Sequence, residues 1–96
     1  MATNFIYLYV SNDETLYFQM YNIVKAVAKR LHNGKPVTSE YLATCSSMKK
    51  LISSACKVVR QNEDYTPDKA ERAEAVQIIT DYILTDCVPY ELKKMR

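Results

Sequence analysis

Glycine is almost absent from this sequence, with Gly34 as the single example in 96 residues. Glycine supplies the left-handed backbone conformations of tight β-hairpin turns. Its scarcity argues against a sheet-rich fold and favours helices joined by few turns. A glycine-rich loop that would cradle a nucleotide phosphate is excluded for the same reason.

Long apolar runs are also missing from the sequence, and we do not expect a secretory leader. No run approaches the roughly 20 apolar residues that a membrane-spanning helix requires. The first ten residues are apolar but lack a basic leader and a small-residue cleavage site. The three cysteines are odd in number and widely spaced, unlike the dense, even set of a secreted disulfide scaffold. We therefore expect a cytoplasmic protein in a reducing, intracellular compartment, with no membrane partner.

Catalytic and metal-binding constellations are lacking as well. The one histidine, His32, falls at the predicted end of a helix, where it more often contacts terminal carbonyl groups than acts as a base. Zinc sites need closely spaced cysteine and histidine ligands, which the sequence does not contain. The carboxylates of Glu71, Glu74 and Asp81 lack the bent loop of a calcium site and are interpreted as a solvated acidic face. We predict a protein that is not an enzyme and needs no metal, cofactor or small-molecule substrate.

Three amphipathic helices account for most of the sequence, because apolar residues recur at helical spacing on one face of each predicted helix. Ser11 and Glu14 have capping-box spacing before the first helix, Asn33-Gly34 ends it, and Thr66-Pro67 begins the third. We predict one all-α domain over residues 1–96, a small bundle of three main helices at about 13–33, 39–61 and 67–87. Cys45-Ser46-Ser47 permits either a turn inside the second helix or a helix that runs straight through.

The two ends of the chain fit this pattern less well. In the apolar and aromatic N-terminal segment (1–12), residues 4–10 have strand propensity, yet a lone strand cannot satisfy its backbone. Three arrangements remain open: pairing with the same segment of another copy, addition to a partner's sheet edge, or extension of the first helix. The aromatic side chains of this segment are candidate protein-interface residues: Phe5, Tyr7 and Tyr9. Pro89 is expected to end the third helix, leaving a short basic C-terminal tail (89–96).

The segment Glu14–Met20 resembles the recognition sequence of a viral protease that is used to remove purification tags. Such sequences can be remnants of protein preparation rather than parts of a fold. The predicted helical stripe runs through Leu16 and Met20 without interruption, and no polyhistidine run precedes it. We therefore treat the segment as part of the folded chain.

Charge is segregated along the sequence. Residues 25–60 contain eight basic residues and one acidic residue, a net charge of +7, whereas residues 61–91 contain eight acidic and two basic residues, a net charge of −6. The overall net charge of +2 conceals this division. Segregated charge informs on partners and orientation rather than on fold.

The basic half suggests one specific alternative. Residues 38–44, the turn at Cys45–Ser47 and the following helix have the outline of a helix-turn-helix, in which the second helix contacts nucleic acid. The candidate nucleic-acid-binding residues are Ser46, Ser47, Lys49, Lys50, Ser53, Lys57 and Arg60. Our first hypothesis is nevertheless a small interaction module, an adaptor or assembly protein, that self-associates into a homo-oligomer and docks on a protein partner. A nucleic-acid-binding protein that uses the basic 46–60 helix is the alternative.

Overall fold

The computed structural model describes residues 3–95, and every regular element in that range is helical. The elements are α1 (Phe5–Asn12), α2 (Glu14–His32), α3 (Ser39–Thr44), α4 (Ser46–Glu63), α5 (Lys69–Tyr82), a π-helical turn (Ile83–Cys87) and α6 (Val88–Lys94). The predicted all-α class is confirmed, whereas the predicted number of three main helices is too low. Residues 1, 2 and 96, at the outer ends of the predicted N-terminal segment and C-terminal tail, lie outside the described residues.

Residues 5–12 form a helix instead of the extended segment that strand propensity favoured. Ile6 and Val10, one turn apart, are completely buried, whereas Leu8 between them is 40% exposed. α1 contacts α2, α4 and α5, so its apolar face lies in the core. Burial of these two side chains outweighs the local preference for a strand. A helix also satisfies the backbone of an isolated segment, which a lone strand cannot do.

Asn4 fixes the start of α1. Its Oδ1 accepts a hydrogen bond from the backbone N–H of Tyr7 at 3.1 Å, which caps the helix. Its Nδ2 donates to the backbone oxygen of Glu71 at 3.0 Å and to Oε1 of Glu74 at 2.9 Å, both on α5. The amide is 7% exposed and uses both of its functional ends. One side chain therefore both begins α1 and attaches it to α5.

The first predicted helix (13–33) corresponds to α2, but Ser11 of the predicted capping box lies inside α1 and does not cap it. Asp13 caps α2 by accepting a hydrogen bond from the N–H of Leu16 at 3.0 Å. Gly34, with φ of 80°, follows its last turn; its N–H donates to the carbonyl of Leu31 and the N–H of Lys35 donates to the carbonyl of Arg30. This is the pattern that a glycine after a helix terminus provides.

The segment Glu14–Met20 is an integral part of α2. Within it, Leu16 is 2% exposed and Met20 is 1% exposed. Both side chains belong to the main apolar cluster of the protein. The segment is therefore folded into the core, as the uninterrupted helical stripe led us to expect.

The predicted helix over residues 39–61 is divided in two at Cys45. Thr38 caps α3 by accepting from the N–H of Tyr41 at 3.0 Å, and Leu42 anchors this short helix with 1% exposure. Cys45 has an extended backbone, with φ of −70° and ψ of 153°, and α4 begins at the next residue. The Thr44 hydroxyl bonds the carbonyl of Glu40 at 2.9 Å, so side chains compete locally with helix propagation. Of the two possibilities at this position, the turn is the one that forms.

The third predicted helix (67–87) starts later and continues beyond Pro89. Asp68, rather than Thr66, caps α5 by accepting from the N–H of Glu71 at 2.8 Å. At its other end the widened π-helical turn leads into α6, and Pro89 occupies the first turn of that helix. The N–H of Val88 still donates to the carbonyl of Ile83, so the helical backbone continues through the widened turn up to the proline. Pro89 therefore does not end the helical run, and most of the predicted tail is helical.

The predicted apolar stripes form one core, to which α1 adds Ile6 and Val10. From α2, α4 and the segment from α5 to α6, the buried apolar side chains are Leu16, Met20, Ile23, Val24, Val27, Ala28, Met48, Leu51, Ile52, Ala55, Val59, Ala75, Ile79, Ile83, Cys87 and Val88. Leu31, Val58 and Val76, which also belong to the predicted stripes, are only partly buried at the edge of the core.

A matched pair of substitutions in α1 tests the helical assignment. Ile6→Ala removes completely buried methyl groups and should lower the free energy of unfolding by about 2–5 kcal/mol. Leu8→Ala, on the exposed side, should cost less than about 1 kcal/mol. Urea titration followed by circular dichroism measures both values. Residues 6, 8 and 10 would share one face of a strand, so equal losses for the two variants would contradict the helix.

Candidate functional site

The predicted nucleic-acid-binding residues all lie on α4, and all seven are exposed: Ser46, Ser47, Lys49, Lys50, Ser53, Lys57 and Arg60. With about 100° of rotation per residue, all of them except Ser47 fall within an arc of about 100°. This arc, here called the basic face, lies on the side of α4 opposite the completely buried Ala55 and Val59. The helical period thus brings the predicted residues together, and their nucleic-acid role stays a prediction.

The basic face borders hollows between α4 and the neighbouring helices α5 and α2. Lys49 lines a hollow of about 240 Å³ together with Arg72 of α5. Lys50 lines a second hollow against α2, next to Gln19 and Asn22. Within residues 3–95, none of the lysine and arginine side chains of the basic face forms a salt bridge. Their positive charge is therefore not neutralised by a neighbouring carboxylate in that part of the chain.

The candidate interface residues of α1 make contacts within their own chain. The ring of Phe5 meets that of Tyr65 edge-on at 6.0 Å, and the ring of Tyr7 meets that of Tyr82 at 6.2 Å. The hydroxyl of Tyr9 donates to Oε2 of Glu63 at 2.7 Å. All three side chains are half-buried. Their role at an interface with a partner stays a prediction, and much of their surface is used internally.

A cleft with a volume of about 500 Å³ lies between α2 and the chain from Tyr82 to Lys94. We call it the aromatic cleft. Five of its eight lining side chains carry a ring: Tyr17, Phe18, Tyr21, Tyr82 and Tyr90; the others are Asp86, Cys87 and Lys94. Phe18 is 64% exposed, Tyr90 60% and Tyr17 39%. A mostly apolar concavity of this size with a few polar groups has the general character of a binding site.

Local structure positions the rings of this cleft. Tyr17 and Tyr21 lie one turn apart on α2, and their rings stack at 6.2 Å with an interplanar angle of 21°. The hydroxyl of Tyr21 donates to Oε2 of Glu91 at 2.5 Å, which connects α2 to α6. On the opposite wall, the π-helical turn contributes Asp86 and Cys87. Such turns are rare and are frequently found at functional sites.

Two phenols and one thiol that line the cleft, those of Tyr21, Tyr82 and Cys87, have raised pKa values. The hydrogen bond to the Glu91 carboxylate raises the pKa of Tyr21 to about 12. Interaction with the adjacent Cys87 thiol, together with burial, raises the pKa of Tyr82 to about 12. Burial also raises the pKa of Cys87 and of Cys56, the thiol beside Lys49 and Arg72 on the edge of the basic face. Thiols with raised pKa values are poor nucleophiles, so neither cysteine is activated for covalent chemistry.

Cations already lie against aromatic faces at this end of the molecule. The Nζ of Lys94 is 4.6 Å from the ring centroid of Tyr90 and 3.8 Å from Oε2 of Glu91. The Nζ of Lys25 is 5.7 Å from the ring centroid of Tyr21. Both distances are within the range of a cation–π interaction. The rings lining the cleft therefore offer an electronegative surface rather than a merely apolar one.

Sequence reasoning did not identify the aromatic cleft. Its rings come from residues 17–21 of α2 and from residues 82–90, which only tertiary packing brings together. One signal was available: Tyr17 and Tyr21 are spaced one turn apart beside the apolar stripe of α2. The high tyrosine count pointed in the same direction, because tyrosine is suited to half-buried interface positions.

No known family model, curated protein or solved structure matches this chain. Among the described residues, no helix is both long enough and apolar enough to cross a bilayer. Within residues 3–95, no cluster of three or more His, Cys, Asp or Glu side chains is arranged to hold a metal ion.

Stability at alkaline pH should report on three tyrosines with raised pKa values, of which Tyr21 and Tyr82 line the aromatic cleft. Tyr21, Tyr65 and Tyr82 have pKa values raised from 10.0 to about 12, so the folded chain holds their protons more tightly than the unfolded chain. Their stabilising contribution is complete below pH 10 and is lost as pH rises towards 12. Urea titrations should therefore give a lower free energy of unfolding at pH 11 than at pH 9. The Glu91→Gln substitution should make this decline smaller. Asp81→Asn, an exposed change on α5, is the control and should leave the decline unaltered; an equal effect of both variants would contradict the role of Glu91.

Proposed function

We propose that this chain is a non-enzymatic interaction module, and that the aromatic cleft is its docking site for a protein partner. The observation that carries the proposal is the exposure of Phe18 and Tyr90, both more than half accessible, on the walls of one concavity. Aromatic side chains that fill or line pockets supply much of the binding energy at protein interfaces. Folding alone gives no reason to leave two large rings this exposed around a cleft.

We also propose that the chain self-associates. The basic face of α4 and the exposed carboxylates of α5, including Glu74 and Asp81, carry opposite charge on different surfaces of the molecule. Two copies could therefore pair basic surface to acidic surface, a form of complementarity that sets orientation and weakens with salt. The three cysteines are free thiols, which supports a reducing, intracellular location for such an assembly.

Substitution of the exposed rings tests the docking proposal. Phe18→Ser combined with Tyr90→Ser should weaken binding of a protein identified by affinity capture at least about tenfold, as expected for interface hot spots. The free energy of unfolding should change by less than about 1 kcal/mol, because both side chains are exposed. Tyr41→Ser, which removes a ring that is 47% exposed on α3, is the matched control. Isothermal titration calorimetry measures the affinities.

Sedimentation velocity identifies whether the partner is a second copy. If the partner is the chain itself, the double variant should sediment as a monomer where the natural sequence forms an oligomer. Unaltered affinity for every partner in the Phe18→Ser, Tyr90→Ser variant, or an equal loss in Tyr41→Ser, would remove the aromatic cleft as the docking site.

A second candidate function is nucleic-acid binding through the basic face of α4. Four cationic side chains on one exposed helix face, without salt bridges among the described residues, favour it. Lys49 and Lys57 lie about 12 Å apart along the helix, so their ammonium groups could contact separate phosphates.

Paired lysine substitutions test this candidate. Lys49→Ala with Lys50→Ala should weaken binding across all sequences and reduce the slope of log affinity against log salt by about two, because two phosphates are no longer neutralised. Lys69→Ala with Lys93→Ala removes the same charge from exposed positions on other helices and is the control. Fluorescence anisotropy with labelled duplex and single-stranded oligonucleotides gives both quantities. Absence of binding to either oligonucleotide at low salt would eliminate the candidate.

A further inference from the structure

The aromatic cleft has the chemistry of a site for an organic cation. Five of its lining side chains carry rings, whose faces present the negative end of the aromatic quadrupole. Phenylalanine and tyrosine faces attract ammonium and guanidinium groups that approach within about 6 Å of the ring centroid. A purely apolar partner would use the area of these rings but not their electrostatic character.

The cleft already holds one cation, and that cation belongs to the protein. The Nζ of Lys94 lies 4.6 Å from the ring centroid of Tyr90, and its side chain is 54% exposed. An ammonium group can therefore occupy this ring face without being buried. Because Lys94 is also 3.8 Å from Oε2 of Glu91, its charge is partly compensated by a carboxylate outside the lining.

Asp86 places a carboxylate at the cleft that forms no salt bridge within the described residues. It is the only carboxylate among the lining side chains, it is exposed, and it lies in the π-helical turn. Within residues 3–95, no lysine, arginine or histidine forms a salt bridge with it. The cleft thus combines aromatic faces with a carboxylate that has no cationic partner in the described chain, which is complementary to an arriving positive charge.

We propose that the aromatic cleft recognises a cationic side chain, lysine or arginine, presented by the protein partner, with Asp86 pairing its charge and the rings enclosing its stem. The proposal rests on the docking function above and names its chemistry. Lys94 then acts as an internal competitor, because it occupies the Tyr90 face and adds a positive charge at the site. Removing Asp86 and removing Lys94 should therefore have opposite effects on binding.

A pair of peptides and three variants test whether removing Asp86 and removing Lys94 change the binding affinity in opposite directions. The probe is an acetylated and amidated alanine pentapeptide with a central lysine, and the neutral comparison has norleucine in place of the lysine. Titrations are followed by the NMR signals of the full-length protein. We expect Asp86→Asn to weaken binding of the lysine peptide about two- to fivefold and Lys94→Met to tighten it by a similar factor, the size of an exposed cation–π contact.

Lys93→Met is the matched control, since Lys93 is the exposed neighbour of Lys94 and does not line the cleft. It should leave the affinity unchanged, and the norleucine peptide should bind more weakly than the lysine peptide. Equal binding of the two peptides, no loss in Asp86→Asn, or weaker binding in Lys94→Met would each overturn the proposal. If one of these contrary results appears while capture of a protein partner still depends on Phe18 and Tyr90, the docking function stands and only the cation specificity fails. If capture is also independent of those rings, the docking function fails with it.

Discussion

Ile6 and Val10 lie completely buried where α1 meets α2, α4 and α5, and the arrangement of those longer helices depends on this contact. Full burial of an aliphatic side chain contributes about 1.5–3 kcal/mol. For a chain of this size, whose net stability is expected to be roughly 5–10 kcal/mol, two such side chains are a large share. Asn4 makes the contact specific, because its amide caps α1 and bonds Glu71 and Glu74 of α5 at the same time.

The same helix supports the aromatic cleft from behind. The ring of Tyr7 packs edge-on against that of Tyr82, and Tyr82 lines the cleft on its other side. The opposite wall is held by the hydrogen bond from Tyr21 to Glu91, which fixes α2 against α6. Residues at both ends of the chain are therefore needed to shape the cleft. This explains how a protein of 96 residues can keep Phe18 and Tyr90 exposed on an ordered surface.

The helical class, the core faces of α2 and α4, and the exposure of the basic face could be predicted from the sequence. Each depends on one amphipathic period within one segment, as in the stripe from Leu16 to Val27. The helical conformation of residues 5–12 could not be predicted from the sequence, because aliphatic and aromatic residues alternate there and only tertiary burial selects the helix. Pro89 was misinterpreted for a related reason: whether a helical run ends at a proline or continues past it depends on the π-helical turn before it. The aromatic cleft could not be predicted from the sequence, because its two walls are more than 60 residues apart in the chain.

Hydrogen exchange at the backbone amides of α1 tests most directly whether this helix is integral to the fold. The amide of Leu8 donates to the carbonyl of Asn4 at 3.0 Å, and Val10 lies in the same helix with its side chain in the core. If α1 opens only together with the core, these amides should exchange with the same protection as those of Leu51 and Ala55 in α4. Exchange of the α1 amides at the rate of an unstructured peptide, while α4 stays protected, would contradict the account.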